Sequence, residues 1–178
     1  RKADACAAVS AELKAQGHEA IGVPAHAARD ADIAALVDRT LESFGRIDIV
    51  VANAGINPVF DPLTDLAEDS WARIIDTNLA GPWRLAKRAL PHMAAAGGGA
   101  LVFVSSVNAK IGMPGSNAYG ISKAALEQMT RQLAVEWGGK NVRINAVAPG
   151  TIRTDMVRAL VAKPGFLDSI VAATPMAR

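Results

Sequence analysis

The chain has 178 residues, 51% of them hydrophobic, with a formal net charge of +2, which is enough for one packed domain and too little for two large ones. Its basic residues are scattered, and no apolar run reaches the roughly 18 residues that span a bilayer, so nothing favours a nucleic-acid or membrane partner over a small molecule. Cys6 is the only cysteine, which excludes an intrachain disulfide and a cysteine-cluster metal site and fits a cytoplasmic protein with no metal.

Helical and extended patterns alternate along the chain. Helical periodicity covers residues 3–13, 30–44, 68–93, 117–137 and 155–172. The predicted strands are the apolar runs "EAIGVPA" (19–25), "IDIVVANAG" (47–55), "ALVFVSS" (100–106) and "VRINAVAPG" (142–150). This order, with runs apolar at nearly every position, predicts one α/β, doubly wound domain over residues 1–178. In it a mostly parallel sheet carries helices on both faces.

Small residues stand where three of the predicted strands end. Ligands of doubly wound folds bind outside the carboxyl ends of the strands, so we expect chemistry there. Ordinary turns also favour small residues, and for any single position both interpretations stay open. The residues are Asn53, Ala54 and Gly55 in the second run, Ser105 and Ser106 in the third, and Pro149, Gly150 and Thr151 in or after the fourth.

The only tyrosine, Tyr119, lies one helical turn before Lys123. On a helix these two side chains share a face. A phenol has a reference pKa near 10, and a nearby positive charge favours the phenolate, which assists proton transfer near neutral pH. A surface helix with an aromatic residue and a solvated lysine is the alternative interpretation of this pair alone.

One spacing and three short motifs make the chain resemble the short-chain dehydrogenase/reductase family. Ser106 lies thirteen residues before Tyr119, as the family's catalytic serine does. The sequence "DTNLAG" around Asn78 is similar to the family's D-x-N-x-x-G, "NAG" at 53–55 to its strand-end motif, and "PGTIRT" at 149–154 to its P-G-x-I-x-T. The resemblance covers essentially the whole chain and implies a Rossmann-like fold.

The resemblance implies an oxidoreductase that transfers a hydride between NADP(H) and a carbonyl or alcohol substrate. Tyr119 would be the general acid or base, and Lys123 would assist it and bind the nicotinamide ribose. Ser106 would hold the substrate oxygen. Asn78 would anchor a water that links Lys123 to solvent.

A cofactor groove is also implied by the resemblance. Arg1 would stand at the end of the family's second strand, where a basic residue favours NADP over NAD, although an ordinary basic surface residue is the alternative. His26 stands where many members carry an aspartate that faces the adenine. The other groove residues would be Asn53, Ala54, Gly55, Tyr119, Lys123, Pro149, Gly150, Ile152 and Thr154.

The chain departs from the family pattern at both ends. It lacks the opening T-G-x-x-x-G-x-G turn, so we expect an interior portion of a longer chain, incomplete at both ends. In the family's strand order the first two strands separate the third from the fourth. We therefore expect a gap in the sheet between residues 19–25 and 47–55, with unpaired edges.

Substrate and partners follow only from short matches. "NAGINPVF" and "PAHAAR" resemble the NADP-dependent carbonyl or retinal reductase branch, whereas a 3-oxoacyl-carrier-protein reductase stays open. Residues 57–60, 107–116 and those after Thr154 would form the substrate walls. The family commonly forms tetramers through helices equivalent to 68–93 and 117–137, so we expect a homo-oligomer, either dimer or tetramer.

Other functions compete with this interpretation. The motif G-x-S-x-G of serine hydrolases is absent, and "WGGKN" lacks the flanking residues of a P-loop. A catalytically inactive nucleotide-binding or scaffold protein of the same fold stays open, because a fold alone does not guarantee activity. An epimerase or dehydratase that shares the tyrosine and lysine is a further rival.

Overall fold

A three-stranded parallel sheet forms the centre of the computed structural model, in which residues 2–176 are described. Its strands are β1 (Ile49–Ala52), β2 (Gly99–Val104) and β3 (Val142–Val147), in the order β1-β2-β3. Ala52 pairs with Phe103, and Val104 pairs with Val147. The carboxyl ends of the strands therefore meet at one edge, and the prediction of an α/β fold with a parallel sheet is confirmed.

Seven α-helices occur in the described residues, and four of the five predicted helices begin within one residue of the expected position. None of the described helices is long and apolar enough to cross a membrane. The helices are α1 (Ala3–Ala15), α2 (Asp30–Phe44), α3 (Glu68–Ile75), α4 (Gly81–Ala95), α5 (Asn117–Trp137), α6 (Arg158–Val161) and α7 (Phe166–Ala173).

The predicted helix over 68–93 is two helices joined by a π-helical turn, Asp76–Ala80. Pro82 lies in the first turn of α4, where its missing N–H does not interrupt the helix. The wider π turn buries Thr77 and Asn78. Such turns are frequent at functional sites, because the extra residue redirects a side chain.

The predicted helix over 155–172 is broken. A 3₁₀ turn, Asp155–Val157, leads into α6, and α7 begins only at Phe166. Pro164 and Gly165 lie between the two helices, and Gly165 has a φ of 74°. That left-handed backbone is incompatible with a continuous α-helix.

Residues 19–25, predicted as a strand, are extended but belong to no sheet. An extended segment needs a neighbouring strand for its backbone hydrogen bonds, and none lies beside it within residues 2–176. This agrees with the expected gap. The segment lies against α1 instead, where the Ser10 hydroxyl donates to the Ala20 carbonyl at 3.0 Å.

Burial alternates along the strands. Leu101 and Phe103 of β2 are fully buried in one cluster with Leu90 of α4 and Leu126 of α5. Neighbouring residues point to the opposite face, where Ile49 of β1 is 70% exposed. The apolar runs predicted burial on both faces, whereas among the described residues α4 and α5 cover one face, and the alternate residues Ile49 and Val51 of β1 are exposed on the other.

Candidate active site

The predicted site residues of β2 and β3 lie at the same edge of the sheet. The Ser105 N–H donates to the Val147 carbonyl at 2.7 Å, and the Val107 N–H donates to the Pro149 carbonyl at 3.0 Å. Ser106 lies between these two bonds, half-buried, and its hydroxyl accepts the Asn108 N–H at 3.2 Å. Beyond Pro149 the chain is exposed from Gly150 to Met156, which includes Ile152 and Thr154.

Lys123 is buried at this edge, with 4% of its surface exposed. Its Nζ donates to the carbonyl of Val104, the last residue of β2, at 2.7 Å. The same nitrogen lies 5.6 Å from the centroid of the Tyr119 ring. Burial lowers the pKa of Lys123 to about 8, because desolvation penalises the charged form. The structure therefore brings the amine to the phenol and keeps it out of bulk water.

Asn78, also fully buried, joins the end of β1 to α5. Its Oδ1 accepts the Ile56 N–H at 2.8 Å, and its Nδ2 donates to the Ile56 carbonyl at 2.9 Å. The Nδ2 also donates to the hydroxyl of Ser122 at 3.2 Å, which donates onward to the Tyr119 carbonyl at 2.6 Å. The amide thus links the loop after β1 to the helix turn that carries the phenol.

Gly55 lies directly over these groups. A Cβ at this position would stand 3.4 Å from Lys123 Nζ and 3.5 Å from Asn78 Oδ1. The glycine therefore lets the loop that carries the exposed Asn53 and Ala54 lie against the amine. An ammonium has three donors, of which Val104 takes one, and the other two suit the hydroxyls of a ribose. These residues fit the nicotinamide end of a dinucleotide.

His26 lies on a separate loop, beside the start of α4. Its backbone N–H donates to Asp32 Oδ2 at 2.8 Å, and its Nδ1 accepts the Ala28 N–H at 3.2 Å. A Cβ on Gly81 would come within 2.5 Å of the Ala27 carbonyl oxygen, so the two segments are in direct contact. Arg1, predicted to select the cofactor, lies outside the described residues.

Ser122 is not among the predicted site residues, although it stands between Tyr119 and Lys123 in the motif. Ser122 follows Tyr119 by three residues, so both lie on the same face of the helix. This spacing was the sequence feature that could have indicated the buried hydroxyl of Ser122. Asn117 was also missed, and its Oδ1 accepts the Tyr119 N–H at 3.3 Å. The composition of a helix start, which favours asparagine near the first turn, was the available signal.

Ser105, the neighbour of Ser106, faces α5 rather than the site edge. Its buried hydroxyl lies 3.3 Å from the Lys123 carbonyl and 3.2 Å from Glu127 Oε1. Lys110 donates to the other oxygen of Glu127 at 2.7 Å and holds the pKa of that carboxyl below its ordinary value. No sequence pattern connects Ser105, Lys110 and Glu127, because 5 positions separate the first pair, 17 the second and 22 the outer two.

Comparison with known proteins gives consistent matches. Residues 1–178 match the family model described as enoyl-(acyl carrier protein) reductase. The cis-4-hydroxycyclohexanecarboxylate dehydrogenase of Sinomonas cyclohexanicum is 40% identical over 86% of the chain and 62% of that protein. Dehydrogenase/reductase SDR family member 4 of Bos taurus is 38% identical over 91% of the chain and 58% of that protein. The chain thus spans about three fifths of the length of these relatives.

A solved structure agrees over the full chain. Gluconate 5-dehydrogenase from Burkholderia cenocepacia, crystallised with NADP and tartrate, has a TM-score of 0.95 and 29% sequence identity. The match covers 100% of this chain and 69% of that structure.

Proposed function

Because the chain belongs to the short-chain dehydrogenase/reductase family, we propose that the protein is an oxidoreductase that interconverts a carbonyl and an alcohol with NADP(H). The observation that carries this proposal is the buried Lys123 amine beside the Tyr119 ring, at the edge where the strands end. When bound, the reduced nicotinamide supplies the hydride. The chain's own residues position the substrate and move the proton.

Tyr119 is the proton donor for the carbonyl oxygen in reduction and the acceptor in the reverse direction. Lys123, with a pKa of about 8, is mostly charged at pH 7 and stabilises negative charge on the phenolic oxygen as the proton leaves. Ser106 holds the substrate oxygen through its hydroxyl. Asn78 fixes the loop after β1 against α5 and keeps the proton path to Lys123 in place.

NADP is the proposed cofactor, with NAD as the alternative. Support comes from Arg1 and from the NADP in the related gluconate 5-dehydrogenase structure. The nicotinamide end would be held by the strand-end glycines and by Ile152 and Thr154, and the adenine end would lie near His26. The residues proposed to bind it are Arg1, His26, Asn53, Ala54, Gly55, Tyr119, Lys123, Pro149, Gly150, Ile152 and Thr154.

The proposed substrate is a ketone, an aldehyde or the corresponding alcohol. The name of the Sinomonas relative, a dehydrogenase of a hydroxycyclohexane carboxylate, supports an alcohol on a carbon ring. A carrier-protein-linked oxoacyl substrate is the second candidate, favoured by the similarity to a 3-ketoacyl-ACP reductase structure from Sinorhizobium meliloti 1021, which is 37% identical over 88% of the chain with a TM-score of 0.84.

The protein is also proposed to form a homo-oligomer, a dimer or a tetramer, in the cytoplasm. The outer face of α5 carries Ile121 and Val135, which are 40% and 84% exposed. These residues lie four turns apart on the same side of the helix, and burial against a second copy would remove them from water. Sedimentation of Val135→Glu against the wild type tests this, since a charge in the interface would give monomers.

The decisive experiment measures oxidation of NADPH and of NADH by the whole protein with a panel of ketones, aldehydes and an oxoacyl thioester. Tyr119→Phe should lower turnover by at least about 100-fold, because the proton donor is lost. NADPH should still bind the variant, at most about fivefold more weakly, because only one of the proposed cofactor contacts is lost. Binding of NADPH without turnover by the wild type would favour the inactive scaffold instead.

A further inference from the structure

Asn117 has a strained backbone just before the proposed proton donor. Its φ is 37°, in the left-handed region, although the residue is only 8% exposed. Among non-glycine residues 2–176, only Asn141 shares this backbone region, with a φ of 61°. Left-handed residues other than glycine are uncommon, and their strain persists only where surrounding contacts compensate for it.

The Asn117 amide makes contacts in two opposite directions. Its Oδ1 accepts the Tyr119 N–H at 3.3 Å. Its Nδ2 lies 3.0 Å from the carbonyl oxygen of Val59, 3.3 Å from that of Gly115 and 3.4 Å from that of Asp61. The oxygen thus faces a donor and the nitrogen faces acceptors, which assigns the orientation of the amide without ambiguity.

The bond to Tyr119 satisfies a backbone group that the helix itself cannot satisfy. The N–H groups in the first turn of an α-helix have no acceptor four residues earlier within that helix. Asn117 supplies the acceptor for Tyr119, so the side chain holds the turn from which the phenol projects. A shift of this turn would move the phenol relative to Ser106 and Lys123.

The bonds on the other side join two predicted substrate walls. Val59 and Asp61 belong to the loop after β1, whereas Gly115 belongs to the loop that leads into α5. The loops touch at Gly115, where a Cβ would lie 2.8 Å from the carbonyl oxygen of Phe60. The Asn117 amide lies across this contact and ties both loops to the first turn of α5.

We infer that Asn117 is a positioning residue that sets the distance between the substrate walls and the phenol of Tyr119. This inference rests on the proposed oxidoreductase function. Because one amide holds both the proton donor and the walls, its loss should change substrate binding and proton transfer together. A defect of folding alone would instead reduce the amount of active enzyme and leave KM unchanged.

The test compares Asn117→Gly with Asn141→Gly in the whole protein. Glycine adopts the left-handed backbone without strain, so each substitution removes only the side-chain hydrogen bonds. Asn141 is a matched control, because its Nδ2 donates to the Gly97 carbonyl at 2.8 Å at the opposite edge of the sheet. Asn117→Gly should lower kcat and raise KM for the carbonyl, with kcat/KM falling about tenfold from the misplaced groups. Binding of NADPH should weaken by less than about fivefold, because most of the proposed cofactor residues lie outside this turn.

A second measurement does not depend on turnover. Hydrogen exchange at the Tyr119 amide should become about tenfold faster in Asn117→Gly, because its acceptor is gone and the turn opens more often. Asn141→Gly should leave this amide unchanged. An unchanged KM with unchanged exchange at Tyr119 would overturn the role of Asn117. Absence of carbonyl turnover by the wild-type protein would overturn the proposed function, whereas unchanged exchange at the Tyr119 amide in Asn117→Gly would overturn the role of Asn117 by itself.

Discussion

The side chain of Asn78 binds the backbone of Ile56 in both directions, accepting its N–H at 2.8 Å and donating to its carbonyl at 2.9 Å. These two residues are 22 positions apart and belong to different segments. The pair fixes where the chain leaves β1, and hence where Gly55 passes over Lys123. A single buried amide therefore positions one side of the proposed cofactor groove.

Replacing Asn78 with alanine should lower the free energy of unfolding by about 2 kcal/mol, because the two backbone groups of the half-buried Ile56 lose their partners. Urea unfolding measures this change. Asn145→Ala, at an exposed position in β3, is the control and should stay within about 0.5 kcal/mol of the wild type. Equal effects of the two substitutions would contradict the role assigned to Asn78.

The buried amine of Lys123 predicts a stability that rises at alkaline pH. Burial lowers the pKa of Lys123 from 10.5 to about 8. Below pH 8 the amine is charged in both the folded and unfolded chains, so the penalty of burying the charge is fully present. Between about pH 8 and 10.5 only the unfolded chain keeps the proton, and stability rises by up to about 3 kcal/mol.

Lys123→Met isolates this contribution, because methionine fills a similar volume without a titrating group. The free energy of unfolding of the wild type, minus that of Lys123→Met, should increase between pH 7.5 and pH 10.5. Chemical denaturation at several pH values provides the difference. A difference that is flat over this range would show that the amine is not desolvated.

Gly81 predicts a steric defect at the start of α4. An alanine Cβ would lie 2.5 Å from the carbonyl oxygen of Ala27, so the loop that carries His26 must move. Gly81→Ala should therefore lose about 2 kcal/mol of stability, as overpacked sites do. At Gly138, which is helical and has nothing within 4 Å of the new Cβ, alanine should be neutral or stabilise by about 0.5 kcal/mol. Thermal unfolding of the two variants distinguishes them.

The adjacent serines predict opposite phenotypes. Ser106→Ala removes the hydroxyl proposed to hold the substrate oxygen, so kcat should fall by about 100-fold, and loss of the bond from the Asn108 N–H should cost about 0.5 kcal/mol of stability. Ser105→Ala removes a buried hydroxyl that contacts α5, so the protein should lose about 1 kcal/mol of stability and keep most of its activity. Steady-state kinetics and urea unfolding of both variants provide the comparison. The reverse assignment would place Ser105, not Ser106, against the substrate.

The sequence predicted best the helices whose first and last residues are determined by neighbouring residues in the chain. The predicted span 30–44 matches α2, and the predicted span 117–137 matches α5. The segment at 19–25 has equally good strand composition but forms no sheet, because pairing depends on a second segment far away in the chain. The 155–172 pattern failed at Pro164 and Gly165, whose effect on the backbone outweighed the apolar periodicity.

Residue types and short spacings alone determined which reactive groups lie close together in this protein. One phenol lies a helical turn from one amine, and strands end in small residues at a common edge, because helical and parallel-strand geometry repeat over a few residues. Tertiary structure alone decided that Lys123 is buried, that Asn78 holds Ile56, that Ser105 turns to Glu127 and that Asn117 spans two loops. These contacts join residues up to 58 positions apart, and distances of that kind are set by how the elements pack, which no local pattern encodes.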